Sequence, residues 1–138
     1  MYKVLVADDE FYVIKSLIAS IDWNAYGFDV IGHASNGLEA LDRISELKPD
    51  LVFTDIKMPG MGGLELIKMS NEKMSNIIFI VISGYAEFAY AQKAMNYGAL
   101  GYCLKPFEDN EIINMLLKAK SILDKNRIYM ETHLLELL

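Results

Sequence analysis

The sequence predicts an α/β fold built on a doubly wound, five-stranded parallel sheet. Three observations lead there. Five short apolar runs alternate with longer stretches of helical period, as consecutive βαβ units require. Four of the runs are rich in Val, Ile, Leu or Phe without clean two-residue alternation, as expected of strands covered on both faces. The chain has 138 residues and is 53% hydrophobic, one domain's worth of length with enough apolar side chains for a real core. At this length the sheet is of the flavodoxin-like (βα)5 kind, whose ligand site lies at the carboxyl ends of the strands.

The elements follow in order. The first run is Tyr2–Ala7, and Ile14, Leu17, Ile18 and Ile21 after it make one apolar helical stripe. The second run, Phe28–His33, precedes a helix striped by Leu38, Leu41, Ile44 and Leu47, with Asn36 as its N-cap and Pro49 ending it. The third run, Leu51–Thr54, leads through the tight loop Met-Pro-Gly-Met-Gly-Gly (58–63) to a shorter helix around Leu64, Ile67 and Lys68. After the fourth run, Ile77–Ile82, the residues Phe88, Ala91 and Met95 outline a helix that stops at Gly98. The fifth run, Leu100–Leu104, is the weakest because it carries Gly101. Ile112, Ile113, Leu116, Leu117 and Leu123 mark the last helix. Residues 125–138 keep helical composition but exceed what the domain needs. They either extend the fifth helix or begin a linker, so the expected division is a domain over 1–124 and an extension over 125–138. No internal repeat or low-complexity stretch occurs.

Composition excludes several classes. Thirteen Lys plus Arg against nineteen Asp plus Glu give a net charge of −6, which argues against this segment binding nucleic acid by itself. A single cysteine, Cys103, cannot form an internal disulfide and fits a reducing compartment. The opening Met-Tyr-Lys-Val-Leu-Val-Ala is too short for a signal-peptide core or a membrane span. The expectation is a soluble, cytoplasmic protein with no membrane association.

The fold fixes which residues collect at the strand ends. Asp8, Asp9 and Glu10 follow the first strand, Asp55 the third, Ser83 and Gly84 the fourth, and Lys105 and Pro106 the fifth, while the second brings only His33. Asp8, Asp9 and Asp55 with Lys105 leave a formal charge of −2 in one crevice. Such a charge is costly unless a divalent cation enters or a carboxylate takes up a proton. Oxygen-rich side chains with carbonyls and water suit Mg²⁺. No cysteine nucleophile, placed His base or Ser-His-Asp set is visible, and neither GxxxxGK[ST] nor GxGxxG occurs. The remaining chemistry is transfer of a small anion, most naturally a phosphoryl group, onto a carboxylate. Asp55 would be the nucleophile, Mg²⁺ and Lys105 would neutralise oxygens of the transferring group, and Ser83 would donate a hydrogen bond.

These residues carry a resemblance. Val-Ala-Asp-Asp-Glu (6–10), Phe-Thr-Asp-Ile-Lys-Met-Pro-Gly (53–60), Ile-Ser-Gly-Tyr (82–85) and Tyr-Cys-Leu-Lys-Pro-Phe (102–107) stand in this order. Over residues 2–124 the chain resembles the receiver domain of two-component response regulators. The resemblance implies that Asp55 is the phosphoacceptor, taking its phosphoryl group from a phosphohistidine on a sensor histidine kinase. It implies Asp8 and Asp9 as the acidic pair, with Asp9 binding Mg²⁺ beside Asp55 and the backbone carbonyl of Lys57. Lys105 and Ser83 would contact the phosphate, Tyr102 would be the aromatic switch, and Lys57 and Tyr85 would tune loss of the phosphoryl group. The output it implies is homodimerisation through helix 4, strand 5 and helix 5. Two departures are Cys103, where such receivers more often carry a larger apolar residue, and the added cation of Lys57.

A narrower likeness runs through Ser20–Phe28 and Ser83–Ala91, which look like receivers joined to AraC-type helix-turn-helix domains. The chain is then either an excised domain or a stand-alone regulator; the first is the expectation, with DNA binding and control of transcription belonging to an effector domain outside this chain.

Each residue also has a plainer role to weigh. Ser83 alone would be a strand-end turn residue, Lys105 a solvated loop lysine, and Tyr102 simple packing with a wet hydroxyl. Trp23 is expected in loop packing, His33 and His133 at the surface, and the methionines as gap fillers. Two rival classes remain. A Mg²⁺-dependent phosphatase resembling the haloacid dehalogenases would need Asp-x-Asp, whereas Asp55-Ile56-Lys57 lacks the second acid. An interaction module with a vestigial pocket would not need the full set of acids with Ser83 and Lys105. An FMN carrier lacks its phosphate loop.

Overall fold

Strands buried on both faces need apolar side chains pointing both ways, and the first, third and fourth runs supply them at all positions but Lys3 and Thr54. In the computed structural model, which describes residues 1–73, 76–84 and 88–138 (backbone alone at Phe88), all five runs are strands. The order is β1 (Tyr2–Ala7), α1 (Phe11–Ser20), a 3-10 turn (Trp23–Tyr26), β2 (Phe28–Ala34), α2 (Gly37–Leu47), β3 (Leu51–Thr54), α3 (Gly63–Lys73), β4 (Ile78–Ser83), α4 (Phe88–Asn96), β5 (Gly101–Leu104) and α5 (Asp109–Leu137). The strands lie β2-β1-β3-β4-β5, every pairing parallel. Val4, Val6, Leu51, Phe53, Ile80 and Ile82 face α1 and α5, packing on Ile14, Leu17, Ile112 and Leu116. Leu5, Ala7, Val52, Phe79 and Val81 face the other way, onto Ala40, Ile44, Leu66, Ile67 and Ala94 of α2, α3 and α4.

Local chemistry sets the helix ends. The Asn36 side chain accepts from the Glu39 N–H at 2.8 Å, satisfying one orphan donor of α2. Gly98, at φ +95, lets the chain leave α4 in the left-handed conformation that L side chains resist. Asn36→Ala is expected to cost about 1 kcal/mol, read as a lower urea midpoint at unchanged slope.

Three of the expected helix stripes keep most of their members but lose one to solvent, a small neighbour taking the buried line. Leu38 is 59% exposed, and Gly37, Ala40 and Ile44 form the buried line of α2. In α4, Met95 lies outside and Ala94 inside; in α5, Leu117 lies outside and Ala119 inside. A small residue lets the helix axis approach the sheet, so the larger neighbour turns to solvent. Trp23 is a second difference. It is core, edge-on to Phe53 with ring centroids 5.6 Å apart, and its indole N–H donates to the Ile18 carbonyl at 3.0 Å.

Residues 125–137 continue α5 without a break. Where the helix leaves the sheet, the Tyr2 hydroxyl donates to Asp124, which Lys120 also holds at 2.9 Å. The Arg127 guanidinium lies 6.0 Å from the Tyr2 ring centre.

Candidate functional site

Parallel register brings the carboxyl ends of the strands to one edge. Ala7 pairs with Thr54, and the next residue's N–H, that of Asp55, donates to the Ala7 carbonyl at 2.9 Å. The two carboxylates that leave β1 and β3 are therefore neighbours by backbone geometry. On the far side, the Lys105 N–H donates to the Ser83 carbonyl at 2.8 Å, which fixes the loop after β5 against the end of β4. Gly63 closes the loop after β3. Its N–H reaches the Ile56 carbonyl at 2.7 Å, and a Cβ there would collide with the Asp55 carbonyl oxygen. Glycine is the residue that lets α3 begin so close to the site.

The side chains converge accordingly. Oxygen atoms of Asp8, Asp9, Glu10 and Asp55 lie within 4.8 Å of one another. Lys105 Nζ stands 2.7 Å from Asp8, 3.2 Å from Asp55 and 3.8 Å from Glu10. Asp8 and Asp55 are buried. One Asp8 oxygen accepts from the Glu10 N–H at 2.9 Å, and one Asp55 oxygen from the Ile56 N–H at 2.7 Å. Four carboxylates against one ammonium leave the cluster strongly negative.

That imbalance shows in proton affinity. Burial pushes the Asp8 carboxyl up to about 6, against the pull of Lys105 and the Glu10 N–H, with the Asp55 charge adding to the rise. Asp55 is raised for the same first reason, desolvation, again opposed by Lys105. Burial works against the Lys105 ammonium, but its hydrogen bond to Asp8 and the charges of Asp55 and Asp8 outweigh it and raise its pKa. The donor set is all oxygen and its charge uncompensated, the chemistry that a hard divalent cation such as Mg²⁺ satisfies.

Among the expected site residues, Asp8, Asp9, Asp55 and Lys105 are thus brought together. Ser83 is the buried last residue of β4, paired with Leu104. Tyr102 is half-buried on β5. Lys57 is exposed, with Nζ 6.0 Å from the Tyr90 ring centre. Tyr85 lies outside the described residues. Glu10, outside the expected ligand set, joins the cluster, and its position directly after the acidic pair is the available signal. Cys103 is buried, its thiol pushed up to about 11 by desolvation first and then the Glu111 charge, so it is inert.

A β2-β1-β3-β4-β5 parallel sheet with an acidic crevice at its carboxyl edge defines the class of the flavodoxin-like receivers, signalling domains rather than metabolic enzymes. The family description "Response regulator receiver domain" matches residues 4–117, and the chain belongs to that family. It is similar to the uncharacterized transcriptional regulatory protein YesN of Bacillus subtilis, 47% identical over 116 residues. That match covers 84% of this chain and 32% of YesN, so the chain spans about a third of that relative. Among solved structures, the receiver domain of the response regulator AraT from Geobacillus stearothermophilus superposes with a TM-score of 0.86 at 39% identity, covering 91% of this chain and 98% of that one. A two-component transcriptional regulator AraC from Clostridium phytofermentans gives 0.84 at 30% identity, covering 92% and 98%. The receiver is therefore of the kind found in AraC-type transcriptional regulators. No helix among the described residues is long and apolar enough to cross a membrane.

Proposed function

We propose that this receiver accepts a phosphoryl group on Asp55 from a phosphohistidine of a sensor histidine kinase. One observation carries the reading: the buried Asp55 carboxylate is held by Lys105, itself ion-paired to Asp8, inside a cluster of four carboxylates. An Asp55 oxygen attacks phosphorus, the P–N bond breaks, and the imidazole leaves with the electron pair. Asp8, Asp9, Asp55 and the Lys57 carbonyl would hold Mg²⁺, which when bound supplies positive charge to the oxygens of the transferring group. Lys105 exchanges part of its pairing with Asp8 for a phosphoryl oxygen, and the Ser83 hydroxyl donates to another. The domain thereby assists its own phosphorylation and dephosphorylation.

The acyl phosphate carries up to about −2 where the carboxylate carried −1. Ser83 and Lys105 are drawn to it, pulling the loops after β4 and β5, and Tyr102 turns inward. The population then shifts toward a state that dimerises through α4, β5 and α5. On this reading residues 1–124 are the receiver and 125–138 lead toward an AraC-type DNA-binding domain in a longer, cytoplasmic protein.

The test is the intact mass of the chain after incubation with acetyl phosphate and Mg²⁺, followed by sizing. A single phosphoryl adduct is expected, absent in Asp55→Asn and with chelator, and the phosphorylated chain is expected to associate further than the unphosphorylated one. No adduct from either acetyl phosphate or a phosphorylated kinase, on folded protein, would overturn the reading.

A further inference from the structure

The seam that fastens α5 to the sheet runs on past the sheet. Ile112, Leu116, Ala119 and Leu123 are buried against β1, β3 and β4 side chains. Met130, Leu134 and Leu137 follow on the same line and are 54%, 57% and 70% exposed. At 3.6 residues per turn all seven fall within an arc of about 60°. An unpartnered stripe of this size marks an interaction surface rather than ordinary surface scatter.

Under the sheet, this face forms one wall of a hollow of about 500 Å³, lined by Tyr2, Asp50, Leu123, Asn126, Arg127 and Met130. Its wall is apolar at Leu123, Met130 and the Tyr2 and Tyr129 rings and polar at Asp50, Asn76 and Asn126, with Arg127 beside them. The fitting occupant is an apolar helix with an acid at the matching edge, and the tip of α5 is one. Leu134 and Leu137 lie on the seam, and Glu131 lies on the same side of it as Arg127. Charge fixes the direction of pairing. Two copies laid parallel and in register would set Arg127 against Arg127, whereas two laid antiparallel bring each Arg127 within reach of the other copy's Glu131, twice, about a two-fold axis. Antiparallel packing also opposes the helix dipoles.

We infer that residues 125–138 are a self-association element: two copies of this chain pair antiparallel, the tip of each α5 seated in the hollow beneath the other's sheet. This interface is separate from α4–β5–α5 and stands whether or not Asp55 accepts a phosphoryl group.

Sedimentation equilibrium of the unphosphorylated chain tests it. The wild type is expected to dimerise, and Leu134→Asp with Leu137→Asp to weaken the dimer at least about tenfold, with circular dichroism and adduct yield unchanged. Arg127→Glu should weaken it too, and adding Glu131→Arg should restore it. A monomeric wild type at its highest soluble concentration would overturn the inference and leave the hollow to another segment or partner. So would a dimer indifferent to the tip substitutions, or failure of the double charge reversal to rescue.

Discussion

Lys105→Met is expected to destabilise the metal-free domain by about 3 kcal/mol at pH 8 and by about 1 kcal/mol at pH 5. The ammonium stands within hydrogen-bonding range of both buried carboxylates, at 2.7 Å from Asp8 and 3.2 Å from Asp55. Removing one partner of a buried pair leaves the other charge desolvated and uncompensated, the costly case. A carboxylate escapes that cost by taking up a proton. The Asp8 carboxyl, already pushed up to about 6 by burial, is largely protonated at pH 5 before any substitution. Less pairing is then left to lose. Urea unfolding at the two pH values, with chelator present, measures the difference. Lys105→Arg, which keeps the charge, should lose much less at pH 8. A loss of the same size at both pH values would assign the effect to packing of the lysine stem, and the ion-pair account would fail.

The parts of the fold that were legible in the sequence share a physical cause. A strand covered on both faces is apolar on both, without two-residue alternation, so β1, β3 and β4 announce themselves by Val4–Ala7, Leu51–Phe53 and Ile78–Ile82. Asn36 and Gly98 were readable because capping and left-handed turns select few residue types. Helix faces were less legible. Ala40, Ala94 and Ala119 are fully buried, but alanine carries little hydrophobic weight, so Leu38, Met95 and Leu117 drew the expected stripe around the helix. Trp23 looked like a loop residue because the turn that carries it is short, and only the packing on Phe53 shows it to be core. At the site, Asp8, Asp9, Asp55 and Lys105 were legible because parallel register brings strand ends together whatever the loops do. What could not be read was the proton balance. It depends on how deeply Asp8 sinks and on a 2.7 Å contact made across the sheet.

That balance gives the last expectation its sign. Asp8→Asn should stabilise the metal-free domain by about 2 kcal/mol at pH 8 and leave it unchanged near pH 4. The folded-state carboxyl titrates at about 6, above its ordinary 3.8, chiefly because burial penalises the charge. Between those values the folded chain binds more protons than the unfolded one. Stability therefore falls as pH rises through that window, and above it the full penalty applies. Asparagine keeps the shape and removes the charge, so the penalty disappears. Mg²⁺ acts oppositely, because a cation that binds only the folded state stabilises it by mass action. The wild type should gain stability on adding Mg²⁺ at pH 8, and Asp8→Asn should gain much less. Thermal or urea unfolding with Mg²⁺ and with chelator reads all four combinations. Counting the Lys105–Asp8 contact as a stabilising salt bridge leads to the opposite sign, because deleting it should then cost stability. A metal-free Asp8→Asn less stable than wild type at pH 8 would establish that the contact outweighs the crowding of negative charge. The acidic cluster would then be a self-sufficient ion-pair network with no demand for a metal, and the case for Mg²⁺ would have to rest on direct binding.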